Sequence, residues 1–86
     1  MISAELNIAI QETKPLVDRT SGDLVTKLTA AMCATKDHWL ITNEDERFRA
    51  AVGAVMLHYG QGSEEFTRLE KEMRALNRLS AALNAM

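Results

Sequence analysis

The stretch NEDERFRAAVGAVMLHYGQGS, residues 43–63, decides the fold. Asn43 followed three residues later by Glu46 matches a capping box, in which two side chains satisfy the free amides at a helix start. Glu44 and Asp45 place negative charge in the first turn, where the helix dipole is positive. Phe48, Ala51, Val52, Val55, Met56 and Tyr59 then recur at helical spacing. The other side carries Ala50, Ala54 and Leu57, so nothing from Ala50 to Leu57 is charged or polar. A helix apolar nearly all round is a buried one, and this is expected to be the central helix. Gly53 in its middle weakens the helix, which predicts that a neighbour approaches closely there. Gly60 is expected to end it in a left-handed cap. Only Gln61 and Gly62 then precede Ser63, an N-cap residue, so the next helix should run antiparallel to this one.

That next helix is expected from Glu64 toward Ala85, roughly 33 Å at ~1.5 Å per residue, and is the longest in the chain. Phe66, Leu69, Met73, Leu76, Ser80 and Leu83 step by three and four, a heptad-like seam. Glu64 with Arg68, and Glu70 with Arg74, are i,i+4 pairs in the better orientation. Toward the C-terminus a second stripe of Ala75, Leu79, Ala82 and Met86 widens the apolar arc beyond what one neighbouring helix covers.

Working back toward the N-terminus, Ser3 is the expected cap of a first helix whose stripe is Ile2, Leu6, Ala9, Ile10, Thr13, Leu16 and Val17. Pro15 removes a backbone donor and crowds the preceding turn. The stripe keeps its phase through it, which predicts a kinked or broken helix reaching Arg19 rather than two unrelated pieces. Thr20, Ser21 and Gly22 break the chain. A second helix is expected from about Asp23 to about Thr35, capped by Ser21, with Leu24, Leu28, Ala31, Met32 and Thr35 on its inner face. Trp39-Leu40-Ile41 follows with little helical phase, and Trp39 is expected to plug this connection into the core.

Bulk properties agree. Eighty-six residues make one domain, 1–86, with a single core. Hydrophobic residues are 47%, yet twelve are alanines, which bury little area. Self-association would supply the missing burial. The net charge of −2 and pI near 5.6 argue against a basic nucleic-acid face and against an anionic membrane as the target. One cysteine, Cys33, excludes an intrachain disulfide and fits a cytoplasmic location. The N-terminus lacks the charged-then-apolar pattern of a signal peptide, and no apolar run is long enough for a membrane span.

Chemistry-bearing residues are sparse. His38 and His58 have no His, Cys, Asp or Glu at the three- or four-residue spacing of a helical metal pair, so they read as structural and no metal or cofactor is expected. Cys33, among Ala and Met, reads as inert and partly buried, because an active thiol needs a base and a lowered pKa. Gly60-Gln61-Gly62-Ser63 has no strand before it and no Lys after it, and Glu64-Glu65 stand where an anion would approach, so it is a helix–helix turn rather than a phosphate loop. The same two carboxylates would lead a recognition helix into DNA, which disfavours a helix-turn-helix regulator.

The expected architecture is therefore all-α, a small antiparallel bundle of three to four helices with a long C-terminal helix. The expected function is a non-enzymatic interaction protein, an adaptor or inhibitor. It would bind a protein partner and form a homo-oligomer, most simply a two-fold dimer, through Phe66, Leu69, Met73, Leu76, Leu79 and Leu83. Its size and lack of catalytic groups suit a phage or mobile-element product that blocks host machinery. The alternatives are a binder of an anionic small molecule or nucleotide, and the DNA regulator. Arg47, Arg49, Arg68, Arg74 and Arg78, with Trp39 and Tyr59 for stacking, are the candidate contacts to an anion or partner.

Overall fold

The computed structural model describes residues 4–85. Among them four helices follow in order: α1 Ala4–Arg19, α2 Leu24–Lys36, α3 Glu44–Tyr59 and α4 Glu64–Asn84. The chain is all-α, and α4 is the longest helix at 21 residues. The molecule measures 42 × 30 × 19 Å, two helix diameters thick. None of these helices is long and apolar enough to cross a membrane. The expected Ser3 cap, and the places of Ile2 and Met86 in their stripes, lie outside the described residues.

Helix α3 is the hub, packed against α1, α2 and α4. Ala50, Ala51, Val52, Ala54 and Val55 are fully buried, as its all-apolar middle predicts. Leu57 departs from this and is exposed. Two clusters share α3. On one side Leu6, Ala9 and Ile10 of α1 meet Ala50 and Ile41. The other joins Val17, Ala31, Val52, Val55 and Leu69, with Leu24, Leu28, Phe48 and Met73 around them. Gly53 permits the first contact, because a Cβ there would lie 2.7 Å from Cδ1 of Ile10.

Local rules set most helix ends. Asn43 accepts a hydrogen bond from the Glu46 amide at 2.8 Å, and Ser63 accepts one from the Phe66 amide at 3.0 Å. Gly60 does end α3, but with φ 84° and ψ 155° it is extended rather than in the expected left-handed helical cap. Helix α2 is capped by Asp23, not Ser21: its carboxylate accepts from both the amide and the hydroxyl of Thr26 at 2.9 Å. Gly22, at φ 125°, turns the chain so that Asp23 arrives at the cap.

Helix α1 runs unbroken through Pro15. The proline and Gln11, whose carbonyl loses its partner, both lie on the exposed side. Water can satisfy that carbonyl, so the helix continues where a buried proline would have ended it.

The inner face of α2 differs from its apolar pattern. Met32 is exposed, while Lys27 is buried. Its ammonium donates to the carbonyls of Val17 (3.2 Å) and Thr20 at the end of α1. Thr35, fully buried, donates to Met32 O at 3.1 Å and to Arg47 O at 3.2 Å, tying the end of α2 to α3. Trp39 is not a core plug: it is 74% exposed, and Ile41 fills the core instead. The Ile41 amide bonds to the His38 carbonyl at 3.1 Å, closing a four-residue turn with Trp39 at its corner. A corner side chain points outward, so the anchor falls two residues later.

Both histidines hold α1. His38 Nε2 lies 2.9 Å from Glu12 Oε2, and its Nδ1 accepts from the Leu40 amide at 3.2 Å. Nε2 therefore carries the proton and donates to the carboxylate. His58 Nδ1 lies 2.8 Å from Asp18 Oδ1. Lys14, 2.9 Å away, and then His58 hold the Asp18 carboxyl below the ordinary carboxylate range. A depressed folded-state pKa stabilises at pH above the ordinary range, and that contribution is lost as pH falls through the folded value. Thermal melts of Asp18→Asn against the wild type should show the widest gap at neutral pH, closing in acid. A gap independent of pH would mean that the charge on Asp18 contributes nothing.

Candidate functional site

Helix α3 ends and α4 starts at the 60–63 turn, where Ser63 Oγ donates to the Gly60 carbonyl at 2.9 Å. They run antiparallel, so Ser80 of α4 reaches Asn43, Glu44 and Arg49 at the start of α3, around an open groove of about 470 Å³. Helix α3 has 16 residues and α4 has 21. The last turn of α4 therefore has no α3 beneath it. Nor does α4 pack substantially on α1 or α2.

The predicted seam divides accordingly. Leu69 is 3% exposed and Met73 packs beside it in the core. Leu69 is thus used within the chain, while Met73 keeps part of its surface exposed. Phe66 and Leu76 are half-buried. Leu79 and Leu83 are 59% and 61% exposed. From Leu79 to Ala85 no residue carries a charge. The described part of α4 therefore ends in an uncharged surface on which Leu79 and Leu83 are the large apolar groups. Earlier on the helix Glu70 and Arg74 pair at 3.4 Å; the expected Glu64–Arg68 pair does not form.

A second groove, about 700 Å³, lies between α2 and α3. Met32, Cys33 and Phe48 give it an apolar floor, while Lys36, Arg47, Glu44 and Asp45 set both signs of charge around it. Its size is in the range of small-molecule sites, but its balanced charge favours neither anion nor cation. Cys33 is exposed there, not partly buried. It shares the groove with Lys36, Glu44 and Asp45, but no hydrogen bond joins its thiol to any of them.

The seven candidate anion contacts do not converge. Arg47 faces the α2 side of α3 and Arg49 the α4 side, and each has a buried Nε without a partner. Tyr59 ends α3, about 20 Å from its start by helical rise. Its phenol pKa is raised by burial and then by the Glu65 and Asp23 carboxylates, which suits a packed side chain. Arg68 sits near that end, and Arg78 near the other. Among the described residues no three His, Cys, Asp or Glu side chains group as metal ligands.

Trp39 forms the third exposed feature. Its ring stacks on His38 with centroids 6.0 Å apart and planes 21° from parallel. His38 in turn reaches Glu12, whose side chain is half exposed. Sequence periodicity could not find this constellation, because it joins a turn to a helix 26 residues away.

No protein family, curated protein or solved structure matches this chain.

Proposed function

We propose that this is a non-enzymatic interaction protein that self-associates through the last turns of α4 and presents its remaining surface to a protein partner. The observation that carries the reading is the uncharged segment from Leu79 to Ala85, with Leu79 and Leu83 more than half exposed at a helix end that overhangs its only substantial neighbour. Charged residues are depleted at interface centres and gather at rims, and here Arg78 adjoins the patch with Arg74 one turn before it. A second copy supplies the same uncharged face, and an isologous two-fold contact closes without leaving a free surface. Ala75 and Ala82, on the same side as the leucines, let two helices approach closely. Each leucine has roughly 1–2 kcal/mol of burial left to gain. Four from two copies set the scale of a weak, concentration-dependent dimer.

Light scattering across a concentration series tests this. The wild type should rise from 9.6 kDa toward twice that mass. The double variant Leu79→Glu, Leu83→Glu should stay at monomer mass with unchanged helix content, since both side chains are exposed in the monomer. A wild type that remains monomeric at high concentration sinks the self-association reading.

A further inference from the structure

The Trp39 turn has a chemistry of its own. An exposed indole is an uncommon use of the chain's only tryptophan, and this one is held rigidly. On one side Ile41 is buried in the core. On the other, His38 is fixed by Glu12 and by the Leu40 amide. A large aromatic side chain on a pre-ordered turn loses little entropy when a partner covers it, which is the character of a binding hot spot.

The surroundings select the partner's charge. Glu12 uses one oxygen on His38, and a carboxylate has accepting capacity for several more donors. Asp37 precedes the turn and is exposed. Of the nearby cations, Lys14 pairs with Asp18 at 2.9 Å, and Lys36 lines the groove between α2 and α3. An aromatic face with a carboxylate one imidazole ring away matches a long cationic side chain. Its stem would lie on the indole while its head reaches Glu12. Arginine fits better than lysine, because its planar guanidinium both stacks on rings and donates in a fork to a carboxylate. Phosphate-bearing partners are disfavoured by the same two acids.

We propose that Trp39, His38 and Glu12 form a docking point for an arginine side chain on a partner protein. The site is separate from the α4 patch and stands independently of self-association.

The test is fluorescence anisotropy of a short dye-labelled peptide carrying arginine, against the same peptide with citrulline, which keeps the shape and loses the charge. The arginine peptide should bind saturably and roughly tenfold more tightly than the citrulline peptide. Trp39→Leu and Glu12→Gln should each weaken it by roughly five- to tenfold. Trp39→Phe, which keeps an aromatic face, should stay close to the wild type. Glutamine at 12 can still accept from His38, so circular dichroism should show the fold intact. The Leu79→Glu, Leu83→Glu variant should bind the arginine peptide as the wild type does, whatever its mass. Equal binding of both peptides, no binding by the wild type, or wild-type binding by both Trp39→Leu and Glu12→Gln would overturn the proposal.

Discussion

Replacing Gly53 by alanine is expected to lower the melting temperature, although alanine is the better helix former. In an exposed helix interior the exchange would stabilise by about 1 kcal/mol. Here the new Cβ would stand 2.7 Å from Cδ1 and 2.9 Å from Cγ1 of Ile10. Ile10 cannot swing away, because it is itself buried among Leu6, Ala9, Ile41 and Ala50. Either α1 moves off α3 or the isoleucine leaves its rotamer, and overpacking of this kind costs about 1–3 kcal/mol. Set against that gain, the net loss should reach about 2 kcal/mol, or as much as roughly 15 °C in a domain of this size. Leucine at 53 should be worse, and could consume most of a total stability on the order of 5–10 kcal/mol. The double variant Gly53→Ala, Ile10→Val removes Cδ1, the nearer of the two clashing atoms. It should be more stable than the two single effects added together, a coupling that distant sites do not show. A Gly53→Ala protein that melts at or above the wild-type temperature would show that α1 yields freely and that the close approach is not what Gly53 serves.

The second large effect is expected at Lys27. Its ammonium sits 8% exposed under the end of α1, donating to the Val17 and Thr20 carbonyls. These belong to the group of carbonyls that a helix end leaves without partners, and a cation there also complements the negative end of the dipole. The Val17 carbonyl keeps a second donor, the Thr20 amide at 3.1 Å. The Thr20 carbonyl has no such substitute. Lys27→Met keeps the packing of the stem and removes the donor, so it should cost about 1–3 kcal/mol. Unfolding in urea should show a lower midpoint with an unchanged slope. A change within about 0.5 kcal/mol, typical of an ordinary surface site, would mean that water replaces the ammonium without penalty.

The candidate site was only partly legible in the residues. The apolar arc at the end of α4 was visible as a widening stripe, because helical periodicity is a property of the chain itself. Which part of the seam remains available was not visible. Leu69 and Leu83 occupy equivalent seam positions, yet one is buried against α3 while the other is exposed beyond Ser80, which is level with the start of α3. The arginines read as one potential set are dispersed over two sides of α3 and both ends of α4, since sequence proximity on a helix does not imply a shared face. The tie between His38 and Glu12, and that between His58 and Asp18, could not be foreseen at separations of 26 and 40 residues.

What the sequence by itself determined is local. It set the all-α class, the caps at Asn43 and Ser63, the stop at Gly60, the burial of α3 and the length of α4. Each follows from side chains acting on their own backbone, or from a period that one helix imposes. The tertiary structure alone decided which exceptions those rules would allow. Pro15 stays inside α1 because that side faces water. Lys27 goes inward because the carbonyls of another helix end await it. Trp39 goes outward because Ile41 fills the core first. In each case the deciding group belongs to a different segment of the chain, and its free energy exists only once the two segments have met.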